Sequence, residues 1–444
     1  MFTSRSAVES YQDCPRYRYN QYHLLGKGVV PKANSIPLVT GGAVHRGVEH
    51  LMNRVRIGQE PNIEVAVQLA TGQYTEDCDR AGFKYRGKGT LTDAQNEYTY
   101  LEQLALVEGL VRAWYLRELP WIVKGYKVVA VEREIEHIEI APGVIFQARI
   151  DAELQQLETN DYYNYSLKTA RQWNEKSESS YGHDLQGITE IWAVEVDAMR
   201  RENERGSALE SVKGLLVDEQ FGNKNLAAIQ GYLEKQSYAR KVMGVKFCIL
   251  IKGVRKESDY GSGADGERLY VTYSPLIRGY KHFTPDRVEY AHSWRYPNAE
   301  NKSGFSILGK GWEPFNVWEM EGGVKRWIGM LNRGEVQPDC GDILKAQVVT
   351  PVEMFRNEIE IKEAIEEIKC QEGRIHWALT NLLEYPNYMA MHFPHNRKHC
   401  DWHFGETCEY KALCWDEQVR KDPIESGLYQ IREPHHKAER LANE

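Results

Sequence analysis

Asp151 lies near the end of a predicted strand, 144–154, and Lys168 closes the next one, 162–168. Neighbouring strands therefore offer one carboxylate and one ammonium group. An aspartate holding Mg²⁺ or Mn²⁺ lowers the pKa of a bound water and clamps a phosphate, while an adjacent lysine stabilises charge and orients the attacking hydroxide. Past Lys168, apolar residues recur from Leu185 through Ile188, Ile191 and Trp192 to Val196, which is helical spacing. Gln186 and Glu190, four apart, share one face of that helix. For an arbitrary Asp and Lys the plainer account is a capped strand end and a solvated charge. Context decides against it.

The strings QARID, SLKTA and HDLQ, in that order, resemble the PD-(D/E)XK nuclease core of the RecB and AddB type. In that family an iD strand end, a (D/E)-x-K-T strand and a Q-x-x-x-Y helix form the active site. Asp151, Lys168 with Thr169, and Gln186 fall on those positions. Two residues depart from the pattern, Ser166 for the family's acid and Glu190 for its tyrosine. A serine hydroxyl is a poor metal ligand, so the resemblance implies a carboxylate moved from strand to helix, at Glu190. The competing reading is a degenerate site that binds DNA without cutting it. In SIPLVTGGAVHRGVEHLMN, Gly41-Gly42 mark a turn and a helix follows. A lone histidine on such a helix is usually a core residue, but the family's G-x-x-x-H helix brings one to the metal. The resemblance thus implies His45, Asp151 and Glu190 as Mg²⁺ or Mn²⁺ ligands and Lys168, Asp151, Gln186 and Glu190 as the catalytic set. Glu49, Ser166 and Thr169 would support them from behind.

Cys400, Cys408 and Cys414 cluster near the C-terminus, and Cys14 stands alone near the start. Cys78, Cys248, Cys340 and Cys370 are scattered through apolar or helical contexts and read as core. Three close cysteines in a reducing compartment favour a metal site over disulfides. Zinc would take a fourth ligand from His399 or His403; an iron-sulfur cubane would take Cys14. The layout resembles iron-sulfur nucleases of the AddB group and of CRISPR adaptation, where one N-terminal cysteine joins three C-terminal ones. There a close pair is followed by a third cysteine six residues on. Cys408 to Cys414 keeps that spacing, whereas Cys400 and Cys408 are eight apart, as if a loop were inserted at 401–407. A [4Fe-4S] cluster on Cys14, Cys400, Cys408 and Cys414 is what the resemblance implies, stapling the first helix to the last segment.

These residues need a scaffold. Near-alternate apolar residues over 128–140 and 144–154, broken at Pro142-Gly143, predict a hairpin. The continuously apolar run 245–254 predicts a strand buried on both faces. With helices over 63–78 and 93–119, the fold class is α/β, a restriction-endonuclease-like core with a central mixed sheet flanked by helices, helical insertions and a C-terminal iron-sulfur segment. The chain divides into 1–60, with the first cluster cysteine and a core helix; 61–120, a helical insertion; 121–282, the nuclease core; 283–350, a Trp-rich lobe around Trp294, Trp312, Trp318 and Trp327; and 351–444. The last part opens on a helix expected to start at Thr350-Pro351, carries the cysteines, and ends after 415 in a polar tail expected at the surface or disordered.

At 444 residues, 42% hydrophobic and 27% charged, the composition is that of a soluble globular chain. Lys plus Arg number 56 against 64 Asp plus Glu, a formal −8, which argues against a non-specific DNA coat and leaves room for a local basic channel. Arg86 and Lys88, interleaved with Phe83 and Tyr85, and Lys252 and Arg255 are the candidate phosphate contacts. No apolar run or signal-peptide layout implies a membrane, and a cytoplasmic location is expected, in a bacterial or phage-infected cell. No P-loop implies ATP. The resemblance to standalone, phage-type members implies an exonuclease acting on single-stranded or duplex DNA ends, with a recombination or replication protein as partner and an oligomer compatible with the sequence.

Overall fold

The structure, a computed structural model, describes residues 1–32, 36–80, 93–170, 179–217, 229–230, 241–252, 255–257, 270–272, 279–283, 288–291, 336–339, 348–382, 385, 388–400, 408–434 and 436–443. In chain order these form β1 (Phe2–Ser4), α1 (Arg5–Asp13), α2 (Pro15–Tyr22), β2 (Val29–Pro31), α3 (Ile36–Arg56), α4 (Ile63–Arg80) and α5 (Asp93–Gly125). Next come β3 (Tyr126–Ala141), β4 (Val144–Gln156), β5 (Tyr162–Ala170), α6 (Leu185–Val217) and β6 (Val242–Ile251). Five short strands follow, β7 (Arg255–Glu257), β8 (Tyr270–Thr272), β9 (Gly279–Phe283), β10 (Val288–Ala291) and β11 (Val336–Asp339). The chain closes with β12 (Val348–Phe355), α7 (Glu358–Asn381), α8 (Tyr388–His392), α9 (Arg397–Cys400), α10 (Lys411–Trp415), α11 (Glu417–Lys421), β13 (Tyr429–Ile431) and α12 (Lys437–Asn443). Arg86, Lys88, His403 and the four named tryptophans of 283–350 lie outside the described residues. No helix among the described residues is long and apolar enough to cross a membrane.

The central sheet is mixed. β3 and β4 form the expected hairpin, β4 and β5 are antiparallel, β5 and β6 parallel, β6 and β12 antiparallel. β1 adds in parallel to Ile145–Gln147. Because β4 pairs with β3 opposite both β1 and β5, those two strands must share its other edge, one after the other. Residues 148–151 of β4 sit between them.

β6 is buried on both faces, as its unbroken apolar run implies. Cys248 and Leu250 join the core formed with α3, α4 and α5, including Val44, Leu110 and Trp114. Phe247 and Ile249 join the opposite core, with Val8, Ile191 and Ile365 from α1, α6 and α7. The helices of 61–120 thus share a core with the sheet. Two buried polar contacts fix the helices, one against the sheet and one against each other. Asp197 on α6, fully buried, meets Arg133 and His137 of β3 as well as Arg200 and Arg201. Arg18 of α2 pairs with Glu372 of α7 at 3.0 Å, both side chains fully buried.

Four local expectations are corrected. Gly41-Gly42 does not make a turn: α3 runs through it, and a Cβ on Gly41 would lie 3.1 Å from Thr169 Oγ1, so the glycine lets helix and strand approach. Thr350-Pro351 does not start a helix; β-branched VVTPV forms β12, with an irregularity between Val349 and Val352 that accommodates the proline at a sheet edge. The helix starts at Glu358, capped by Asn357, whose side chain accepts from Ile359 and Glu360 N–H. The tail after 415 is structured: β13 pairs with β2, and Val419 and Tyr429 pack with Val29, Tyr410 and Leu413. Few apolar anchors in a polar stretch suffice because the chain start supplies the other half of that small core. Cys78 and Cys248 are buried as expected, whereas Cys370 is exposed.

Between α5 and the sheet, Thr350 donates to buried Glu118 at 2.9 Å, and Trp114 Nε1 donates to Tyr165 at 2.7 Å. Burial pushes Glu118 from 4.5 up to about 7. The folded state therefore binds this proton more tightly than the unfolded chain, and the stability it contributes below pH 4.5 is lost as pH rises through 7. Glu118→Gln is expected to exceed wild type by up to about 3 kcal/mol at pH 8 and to match it at pH 4. Urea unfolding at both values checks this; an equal difference at both would contradict it.

Candidate active site

A cleft of about 600 Å³ opens where β1 and β5 part along the edge of β4. Asp151 stands in that opening. Its Oδ2 accepts from the Leu167 backbone N–H at 2.9 Å and from Ser166 Oγ at 3.4 Å, so the carboxylate is aimed by the neighbouring strand. His45 reaches in from α3, its Nδ1 3.9 Å from the same oxygen. Lys168, one residue past Leu167, faces the opposite side of β5 and meets Gln186 Oε1.

Gln186 is held at the first turn of α6, where Asp184 accepts its backbone N–H at 2.8 Å. Its amide nitrogen donates to Ser166 Oγ at 3.2 Å and to Glu190 Oε1 at 2.5 Å. One amide thereby links Lys168, Ser166 and Glu190, which explains the four-residue spacing seen in the sequence. Glu190 is only 3% exposed, and its second oxygen has no hydrogen-bond partner. Burial first, then the nearby Asp151, pushes it up to about 8, against the pull of Lys168 and Gln186.

The group of metal-ligand atoms gathered here is not the one the sequence suggests. Among the described residues, His45, Glu132 and Asp151 each place a ligand atom within 4.8 Å of the other two. Glu190 is not in that set. Glu132 comes from β3, bonded by Arg149 Nε at 3.1 Å, and burial and Asp151 push it up to about 7. Sequence reasoning missed it because it sits in EREIEHIEI, where alternating acids look like a solvated strand face. No sequence signal marked it, because two register shifts in β3, between Glu139 and Ala141 and between Ile135 and Ile138, separate the turn from the pairing that sets Glu132 opposite Asp151. Glu49 pairs with Arg46 at 2.8 Å, and Thr169 contacts the Gly41 turn of α3.

The cleft has a wall that the sequence did not announce. Arg432, His436 and Glu439 from the chain end line it together with Arg5 and Lys252. Arg432 is bonded to Glu439, and Glu136 of β3 accepts the Ala438 N–H, anchoring α12. Glu134, Glu136 and His436 form a second close group. Lys252 is half-buried at the end of β6, its backbone N–H donating to Ala170, and burial lowers its ammonium pKa. Of Arg255 only the strand placement in β7 is described.

Among the described residues the four cysteines named from the sequence form no close metal-ligand group, but the segments that carry them are linked by hydrogen bonds. Cys14 lies at the α1–α2 junction, its sulfur accepting the Asn396 N–H at 3.4 Å. Cys400 Sγ donates to Asn396 O at 3.8 Å, and Cys408 N–H donates to Cys400 O at 3.1 Å. Asn20 donates to Cys414 Sγ at 3.6 Å. Burial pushes the Cys408 thiol up to about 11, with Cys414, Cys400 and Cys14 adding to the rise, so each of the three others is close enough to be felt.

No curated protein matches the chain. The family profile described as the PD-(D/E)XK nuclease superfamily matches residues 3–240, a span that takes in the His45 helix, the Asp151 and Lys168 strands and the Gln186 helix. With more than half of its length matched, and with those side chains converging on one cleft, the chain belongs to the PD-(D/E)XK nuclease superfamily.

Proposed function

We propose that this protein is a metal-dependent DNA exonuclease that hydrolyses phosphodiesters at DNA ends, and that Cys14, Cys400, Cys408 and Cys414 hold a structural [4Fe-4S] cluster. The superfamily supplies the hydrolytic chemistry and the nucleic-acid substrate. The observation that carries the reading is the meeting of His45, Asp151, Lys168 and Gln186 in one cleft although the first and last are 141 positions apart in sequence. An imidazole nitrogen and carboxylate oxygens within ion-binding distance suit a hard divalent cation such as Mg²⁺ or Mn²⁺. Bound there, such an ion would polarise the phosphate and make water a stronger nucleophile.

The chain's own groups do the rest. Leu167 N–H keeps the Asp151 carboxylate from rotating away. Gln186 holds the Lys168 ammonium, which orients the attacking oxygen and offsets charge growing on the phosphate. Lys252 and Arg5 line the same cleft and suit the flanking backbone phosphates. Exonuclease action on DNA rests on the likeness to the RecB and AddB type. An imidazole-to-amide layout like this one is also what a recombination or replication assembly would keep if it only bound DNA. Ser166 favours that second reading, a non-cutting DNA-binding protein with the same fold and cluster.

For the cysteines, tetrahedral zinc would draw thiolates to about 3.8 Å from one another. Among the described residues no three cysteine sulfurs lie within 4.8 Å. The choice of iron over zinc rests on the likeness of the cysteine layout to that of the AddB-type iron-sulfur nucleases.

Three measurements test the reading. With Mn²⁺, the purified protein is expected to release label from end-labelled DNA and to spare covalently closed circles. Lys168→Ala should lose about 10²- to 10³-fold in rate while still retarding DNA in a gel; equal, absent cleavage by wild type and variant would favour the non-cutting reading. Anaerobically purified protein should be brown and carry iron, lost in Cys14→Ala and retained in Cys78→Ala. Zinc in place of iron would overturn the cluster.

A further inference from the structure

We propose that Glu132 replaces the strand carboxylate absent at Ser166 and, with His45 and Asp151, ligates the divalent ion. This rests on the metal-dependent reading of the cleft. Val131 pairs with Ala152 and Arg133 with Ile150, so Glu132 stands directly across from Asp151. Directly opposed side chains lie within roughly 5.5 Å at Cβ, close enough for both carboxylates to grip one ion. β5, which carries Ser166, flanks Asp151 on the other side, and the Ser166 hydroxyl is already engaged with Asp151 and Gln186. The second acid thus comes from the strand before Asp151 instead of the strand after it.

Three observations point the same way. The ligand atoms of His45, Glu132 and Asp151 come from three different elements yet lie within 4.8 Å of one another. Between them is a cavity of about 10 Å³, lined by those three and Glu49 among apolar side chains such as Met52 and Leu167. That is about the volume of a single small occupant. Lastly, two acids opposed across a hairpin repel each other, and Glu132 adopts a φ of 48°, sparsely populated by residues with a side chain. An arrangement that costs energy twice over at one residue has a reason in what that residue meets. Arg149 meets Glu132 through one oxygen, Oε2, and is itself more than a third exposed, so it can yield to an ion. Glu190 is the worse candidate because it lies outside the close set.

The test reads metal binding on the intact protein, not cleavage. After EDTA treatment, Mn²⁺ is titrated and followed by the loss of free-ion paramagnetic resonance. Wild type should bind; Asp151→Asn and Glu132→Gln should each weaken binding by at least about 10-fold, the least that even outer partners of a metal site contribute. Glu190→Gln should bind as wild type does. Binding kept in Glu132→Gln but lost in Asp151→Asn would overturn the role of Glu132 and leave the cleft as a metal site. No binding by wild type would remove both. Circular dichroism and urea midpoints in EDTA confirm folding; if Glu132→Gln does not fold, Glu132→Asp, which withdraws the carboxylate by one methylene, must show the same weakening.

Discussion

The Leu167 N–H to Asp151 hydrogen bond is the hinge of the site. It exists because β4 leaves β1 and picks up β5 along the same edge, and the carboxylate fills the interval between them. An edge N–H without a strand partner is costly when buried. Here the side chain of Asp151 satisfies it, and in return the strand aims the acid. Leu167 holds Asp151 through its backbone N–H while the next residue, Lys168, presents its ammonium to Gln186 in the same cleft. Moving β5 by one residue would exchange them, which makes register, and not only residue type, a requirement of the chemistry.

Around this bond the cleft gathers carboxyl groups. Asp151, Glu132, Glu190 and Glu49 stand against His45, Arg149 and Lys168, and burial followed by the nearby Asp151 pushes Glu132 up to about 7 and Glu190 up to about 8. Charge crowding of this kind is unfavourable in a merely structural location and is a recurring property of sites that receive a cation. The overall excess of acid in the chain is therefore no obstacle to a polyanionic substrate. Lys252, Arg5 and Arg432 place basic groups around the same opening.

Much of this was legible in the sequence, and the misses share a cause. Strand and helix periods located β3 to β6 and the start of α6 within a few residues, and the short motifs picked out His45, Asp151, Lys168 and Gln186, all of which line the cleft. What spacing along the chain could not reveal was pairing across it. Glu132 becomes noteworthy only through its register with Asp151, and the tail residues Arg432, His436 and Glu439 only through packing of the chain's end on its beginning. Gly41-Gly42 and Thr350-Pro351 misled for the same reason: a tertiary approach to Thr169, and pairing with β6, overrode the local turn and helix signals.

The two chain ends are joined more than once, and this bears on what a cluster would do. β2 pairs with β13, Tyr410 donates to Val29 O at 2.7 Å, and Arg18 is buried against Glu372. These contacts already set the shape of the region next to the cleft. By the chain-entropy argument for cross-links, a link between Cys14 and Cys400 closes a loop of nearly the whole chain and restricts the unfolded state by about 6 kcal/mol. A cluster held there would thus add persistence to an arrangement whose geometry is non-covalent in origin. Since β1 and the tail both line the cleft, loosening the ends would act on its walls, whereas the Asp151 bond is made within the central sheet.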